Sequence, residues 1–192
     1  MADLVGQILK AMEGTHFISA HYPILTNGGL HDEDVLIHSL GCSVWNTLGH
    51  ELGYMAVVEC PAPGTHGADI RSDSGWFDDN ELTPLALVEF ERYDGSSRGQ
   101  SKLNEKLCNL IGAAQRWNHP PKVLILSAWS QGIVSAPDTD ALKKCCYEGI
   151  RISSGSQVTA SSTIKILFNR FLFEKSSSNG LTLKHVRSER LM

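Results

Sequence analysis

Residues 85–92, Leu-Ala-Leu-Val-Glu-Phe-Glu-Arg, constrain this chain more than any other stretch. In an extended strand, successive side chains point to opposite faces. Leu85, Leu87, Glu89 and Glu91 therefore share one face, and Ala86, Val88 and Phe90 share the other. Apolar residues on both faces mark a central strand covered from two sides. Such a strand needs layers above and below it, so the expected fold class is α/β, with helices packed on a sheet. The same strand carries two carboxylates on one covered face. A buried carboxylate is costly unless a cation or hydrogen-bond donors meet it.

The remaining pattern supplies the layers. Residues 3–13 form a short amphipathic helix through Leu4, Ile8 and Met12, and Phe17–Leu25 reads as extended, closed by the turn Thr26-Asn27-Gly28-Gly29. Asp32, Glu33 and Asp34 place acids at a helix start. Leu36, Leu40, Val44, Trp45, Leu48 and Leu52 then recur at helical spacing up to Gly53. Tyr54–Cys60 reads as a strand, Pro61-Ala62-Pro63-Gly64 as a break, and a second strand is expected around Ala68–Arg71. After a polar turn at Asp78-Asp79-Asn80 come the strand Leu85–Arg92, a helix over Ser101–Trp117 and a buried strand over Lys122–Ser127. Asp138–Tyr147 reads as helix, and Thr163–Phe173 with Leu181–Val186 as a C-terminal β-hairpin closed at Ser176–Gly180. Between about 32 and 127 the order is helix, three strands, helix and strand around a central mixed sheet. At 192 residues the chain reads as a single domain. Its core spans about 32–127, with an N-terminal appendage over 1–31 and a basic C-terminal extension over 128–192.

Composition excludes some classes. No run of about 18 apolar residues is present, so no transmembrane helix or membrane partner is expected. The N-terminus lacks the basic and apolar regions of a signal peptide. Five cysteines (Cys42, Cys60, Cys108, Cys145, Cys146) are an odd number without a Cys-x-x-Cys pair, the pattern of reduced, buried thiols. The expected location is cytoplasmic. Charge is divided unevenly: residues 1–96 hold 3 Lys/Arg against 15 Asp/Glu, and residues 97–192 hold 14 against 6. One half concentrates carboxylates for a cation, and the other offers charge to phosphates.

Four acids stand out. Glu51 falls inside the apolar stripe of its helix, Asp69 sits on the expected second strand, and Glu89 and Glu91 share a face of the third. Oxygen donors of this kind suit Mg²⁺ or Mn²⁺ and not zinc. The spacing Asp69…Glu89-Phe90-Glu91, with Glu51 on the preceding helix and this order of elements, resembles the PD-(D/E)xK, or restriction-endonuclease-like, nuclease superfamily. The resemblance covers about half of the chain. Ala68 stands where the motif has Pro, and Glu91 where it usually has Lys, which makes this a D…ExE variant. The resemblance implies a restriction-endonuclease-like core and a Mg²⁺- (or Mn²⁺-) dependent endonuclease hydrolysing phosphodiester bonds in DNA. Asp69 and Glu89 would be its main ligands and Glu51 a supporting one. Glu91 would activate the water, and Lys102, on the next helix, would supply the missing positive charge. Arg98, Lys143, Lys144, Arg151 and Lys165 are the candidate DNA-backbone contacts, with 151–157 as a phosphate-contacting loop. Trp76, Trp117 and Trp129 are candidates for stacking on bases. Double-strand cutting would call for a homodimer or a partner protein.

Two other readings use the same residues differently. One is a catalytically inactive module of this fold that binds nucleic acid or a protein partner, for which Glu91 in the lysine position is the best argument. The other is a Ser-His-Asp hydrolase. Ala128-Trp129-Ser130-Gln131-Gly132 follows a strand as a nucleophile elbow does, with Asp138 or Asp140 and His185 later in the chain. Its first glycine is replaced by Ala, and Pro137 arrives too soon for a long following helix. A zinc site is weaker still, since the eight histidines are scattered and His50-Glu51 lacks a second His one turn on.

Overall fold

A computed structural model describes residues 3–31, 34–64, 69–80, 83–151, 157–175 and 180–192. In chain order the elements are α1 (Leu4–Ala11), α2 (His16–His21), α3 (Pro23–Thr26), β1 (Leu30–His31), α4 (Asp34–Glu51), β2 (Met55–Pro61), β3 (Arg71–Phe77) and β4 (Pro84–Arg92). There follow α5 (Ser97–Gln115), β5 (Val123–Gln131), α6 (Thr139–Glu148), the short pair β6 (Ile150–Arg151) and β7 (Gln157–Val158), β8 (Lys165–Lys175) and β9 (Gly180–Arg190). Among the described residues, no helix is long and apolar enough to cross a membrane.

The fold is mixed α/β. Seven strands form one sheet in the order β1-β9-β8-β5-β4-β3-β2. β2, β3 and β4 form an antiparallel meander, β4, β5 and β8 run parallel, and β9 returns antiparallel to β8. Parallel neighbours need a crossover, and α5 and α6 lie in the two crossover segments. The alternation of β4 decides which layer each residue joins. Ala86, Val88 and Phe90 enter an apolar layer with Val44, Trp45 and Leu48 of α4. Leu87 enters the opposite layer, with Leu103, Leu107 and Leu110 of α5. The helix α4 lies close because two positions lack a side chain. A Cβ at Gly41 would run into the Phe90 ring, and one at Gly49 would meet Trp76 and Ala56. Its N-terminal half is thereby set over Phe90 and its C-terminal half over Trp76.

Several expectations change. Residues 17–25 are largely helical, in α2 and α3, and Pro23 starts the latter as a proline at the first helical turn can. The second strand of the meander begins at Arg71, so Asp69 lies outside it. Ala128, Trp129 and Ser130 continue β5 and do not turn as an elbow would. The segment 128–192, expected as a basic extension, supplies β8, which pairs with every residue of β5. Asp32, Glu33, Ala68, residues 152–156 and most of the 176–180 turn lie outside the described residues.

Candidate functional site

The site forms where the edge meander stops pairing regularly. The β3–β4 ladder runs from Phe77↔Pro84 to Ser74↔Val88 and goes no further. One step on, Asp73 lies beside Glu89, and its carboxylate replaces the missing backbone partner. Asp73 Oδ2 accepts the Phe90 N–H at 2.6 Å. The β2–β3 ladder is irregular at the same row, pairing Val58↔Ser74 and Cys60↔Ser72 while skipping Glu59 and Asp73. Glu59 has φ 50°, in the left-handed region, a costly backbone for a strand residue. Glu59, Asp73 and Glu89 thus occupy one row across three neighbouring strands.

From the α5 layer, Lys106 answers these acids. Its Nζ lies 2.9 Å from Glu89 Oε2, and the Glu89 side chain is only 2% exposed. Burial, then the neighbouring Asp73 charge, pushes the Glu89 carboxyl up to about 7, against the pull of Lys106. Burial also raises Asp73, opposed by the Phe90 N–H, Lys106 and His38. For Lys106, burial works against the charge, but Glu89, followed by Asp73 and Glu91, outweighs it and raises the pKa. Glu91, half-buried on the same face of β4, accepts the Arg92 N–H at 2.8 Å through Oε1. One lysine is thus set among three carboxylates, an arrangement that still carries negative charge for a cation.

From the α4 layer come His38 and Cys42, one turn apart. His38 Nε2 is 3.9 Å from Asp73 Oδ1 and 3.7 Å from Cys42 Sγ, and the His38 ring tilts against Phe90 at 5.9 Å between centroids. Asp73 thus has His38 of the α4 layer beside it and feels the charge of Lys106 from the α5 layer.

The expected quartet is only partly assembled. Glu89 stands at the centre and Glu91 beside it, but Glu51 and Asp69 do not join them. Glu51 is exposed at the last residue of α4, thirteen residues beyond His38, or about 20 Å along a helix. Asp69 is 65% exposed and held by Arg71, with Nη2 at 2.9 Å and Nε at 3.1 Å. Lys102 is exposed, one turn before Lys106. Sequence reasoning missed Asp73, Lys106, His38 and Cys42.

The expected DNA contacts are scattered. Arg98 is exposed in the first turn of α5, Lys143 pairs with Glu189, and Lys144 lies 3.6 Å from Glu148. The Arg151 side chain is outside the described set. Lys165 lines a cavity of about 660 Å³ with Lys122, Asp78 and Tyr54. That cavity is at the opposite end of the parallel strands from Glu91, since Lys165 pairs with Val123 and Val123 with Ala86. Trp76 and Trp129 are core residues, 0% and 1% exposed. Ser130 is also buried, its Oγ accepting from Arg170 Nε at 3.1 Å, and Asp138 caps α6 through the Ala141 N–H. No protein-family model, curated protein or solved structure matches the chain.

Proposed function

We propose that this chain is a metal-dependent phosphodiesterase acting on DNA, built on a restriction-endonuclease-like core, with Asp73, Glu89, Glu91 and Lys106 as its working residues. The observation that carries the reading is the Lys106–Glu89 pair beside Asp73 at the end of the β3–β4 ladder. The order α4–β2–β3–β4–α5–β5, with β4 parallel to β5, supports it, because it is the helix, three-strand, helix, strand order the resemblance implies. In the corrected assignment Asp73 takes the place given to Asp69. Lys106, projecting from α5, supplies the positive charge that Glu91 cannot.

Carboxylate oxygens are the donors a hard divalent cation takes. Among the described residues, Asp73 Oδ1 accepts no hydrogen bond, and Glu89 keeps an oxygen not used by Lys106. Mg²⁺ or Mn²⁺ held by these acids would supply Lewis acidity toward a phosphate oxygen and make water more acidic. The residues do the rest. Glu91 takes the proton of the attacking water. Lys106 orients that water and offsets charge that grows on the phosphate.

The test is cleavage of plasmid and single-stranded DNA with Mg²⁺ or Mn²⁺. Asp73→Asn, which keeps an acceptor for Phe90, Glu89→Gln and Lys106→Ala should each lower the rate by more than about a hundredfold while the circular dichroism is unchanged. Asp69→Asn, Glu51→Gln and Lys102→Ala should cut at the parent rate. Full cleavage by Asp73→Asn, or none by the wild type, would overturn the reading.

A further inference from the structure

The α4 side of Asp73 has a donor chemistry unlike that of the Glu89 side. His38 and Cys42 are an i, i+4 pair, the spacing by which one helical face presents two ligands to one ion. His38 Nε2, Cys42 Sγ and an Asp73 oxygen all lie within 4.8 Å of one another, and among the described residues no other three His, Cys, Asp or Glu groups gather this closely. With zinc–nitrogen bonds of about 2.0–2.1 Å and zinc–sulfur bonds of about 2.3 Å, ligand atoms at the tetrahedral angle are about 3.3–3.6 Å apart. The observed His38–Cys42 separation of 3.7 Å needs to contract by about 0.1–0.2 Å and the His38–Asp73 separation of 3.9 Å by about 0.6 Å.

The surroundings suit a cation. Glu59 and Glu89 add negative charge without joining the three donors. Burial, then Asp73, Glu89 and Glu59, pushes the Cys42 thiol up to about 12, so without an ion it stays protonated. The His38 side chain is 41% exposed, which leaves an entry path and room for a fourth ligand. Packing fixes the geometry: Gly41 seats the helix on Phe90, whose ring also flanks His38.

We propose that His38 Nε2, Cys42 Sγ and Asp73 Oδ1 form a site for a thiolate-binding divalent cation of the zinc or cobalt class, with the fourth position open to water. On binding, one cation–sulfur bond forms and the thiol proton leaves to solvent, with no change of oxidation state. The site shares Asp73 with the proposed nuclease centre, but its ligand chemistry does not require that the chain cleave DNA.

Cobalt is the probe. Titrating the metal-free full chain with Co²⁺, under a non-thiol reductant, should produce a near-ultraviolet thiolate-to-cobalt charge-transfer absorption with the visible bands of four-coordinate cobalt, saturating at one ion per chain. Excess Zn²⁺ should bleach both. Cys42→Ser should lose the charge-transfer absorption while Cys108→Ser keeps it, and His38→Gln should weaken binding by more than about tenfold. Either Cys42→Ser or His38→Gln suffices if the other does not fold. A wild-type chain that shows no charge-transfer absorption at saturating Co²⁺, or a Cys42→Ser chain that shows it undiminished, would overturn the proposal. DNA cleavage does not enter this readout, so it fails or succeeds separately from the nuclease reading.

Discussion

Glu89 is a carboxylate enclosed on every side, with one lysine to answer it and a second acid beside it. Its pKa rises from the ordinary 4.5 to about 7, led by burial. A folded-state value above the unfolded one means that the folded protein holds the proton more tightly. The associated stability is complete below about pH 4.5 and is lost as pH rises through about 7. The shift corresponds to roughly 3 kcal/mol in total. Without divalent ions, the stability of the wild type should therefore fall relative to Glu89→Gln by roughly 2–3 kcal/mol between about pH 5 and pH 8. Urea unfolding of both chains across this range measures it, and parallel curves would mean that Glu89 is hydrated. Asp73 differs, because its carboxylate also closes a gap in the sheet. Asp73→Ala should cost about 1–3 kcal/mol by leaving the Phe90 N–H unpaired, a loss that Asp73→Asn should largely avoid.

At the scale of elements, Gly41 makes a sharp test. Helix propensity alone says that Gly41→Ala should stabilise α4 by about 1 kcal/mol. The contact with the Phe90 ring says the opposite, since overpacking of this kind costs about 1–3 kcal/mol. We expect net destabilisation in urea unfolding, partly relieved in the Gly41→Ala/Phe90→Leu double variant. A more stable single variant would show that the helix does not rest on this ring. The elements also show what could be read in advance. The central strand, its two acids and its two-sided cover followed from alternation alone, and the order from α4 to β5 from helical spacing and the turn residues between elements. The position of β3 did not. Ser72-Asp73-Ser74-Gly75 contains no apolar residue, and pairing to β2 and β4, not propensity, makes it a strand. Counting back from the Asp78–Asn80 turn would have misled, because arms of matched length about Asp79 put Asp69 beside Glu89; in the structure Phe77 pairs with Pro84 and Ser74 with Val88, which brings Asp73 beside Glu89 and would set Asp69 level with Tyr93. Lys106 was hidden for another reason. At about 100° per residue it lies about 40° from Leu110, on the edge of the apolar stripe of α5, where a lysine reads as surface. His38 and Cys42 were counted among scattered histidines and buried thiols. Their meaning came only from the strand below them.

The whole molecule is more continuous than its charge and element pattern suggested. The segment read as a basic extension supplies β8 and β9, which pair in series beyond β5. The segment read as an appendage places Leu4, Val5 and Ile8 in the same apolar layer as Trp45, Leu183 and Val186. Residues 123–130 are buried without exception, which requires a neighbour on both edges of β5. A chain cut after residue 127 would turn that strand into an unpaired apolar edge. It should show no cooperative unfolding transition, and one resembling that of the full chain would mean that 1–127 is self-sufficient.

Where the sheet opens at Asp73, the two helical layers cease to be separate compartments. A single carboxylate faces hard oxygen donors through one layer and softer nitrogen and sulfur donors through the other. Two ions drawn to it from opposite sides would compete for the same negative charge. Such antagonism is thermodynamic and runs equally in both directions. If the chain has both proposed sites, trace zinc would act as a brake on magnesium-dependent cleavage, and abundant magnesium would loosen the hold on zinc.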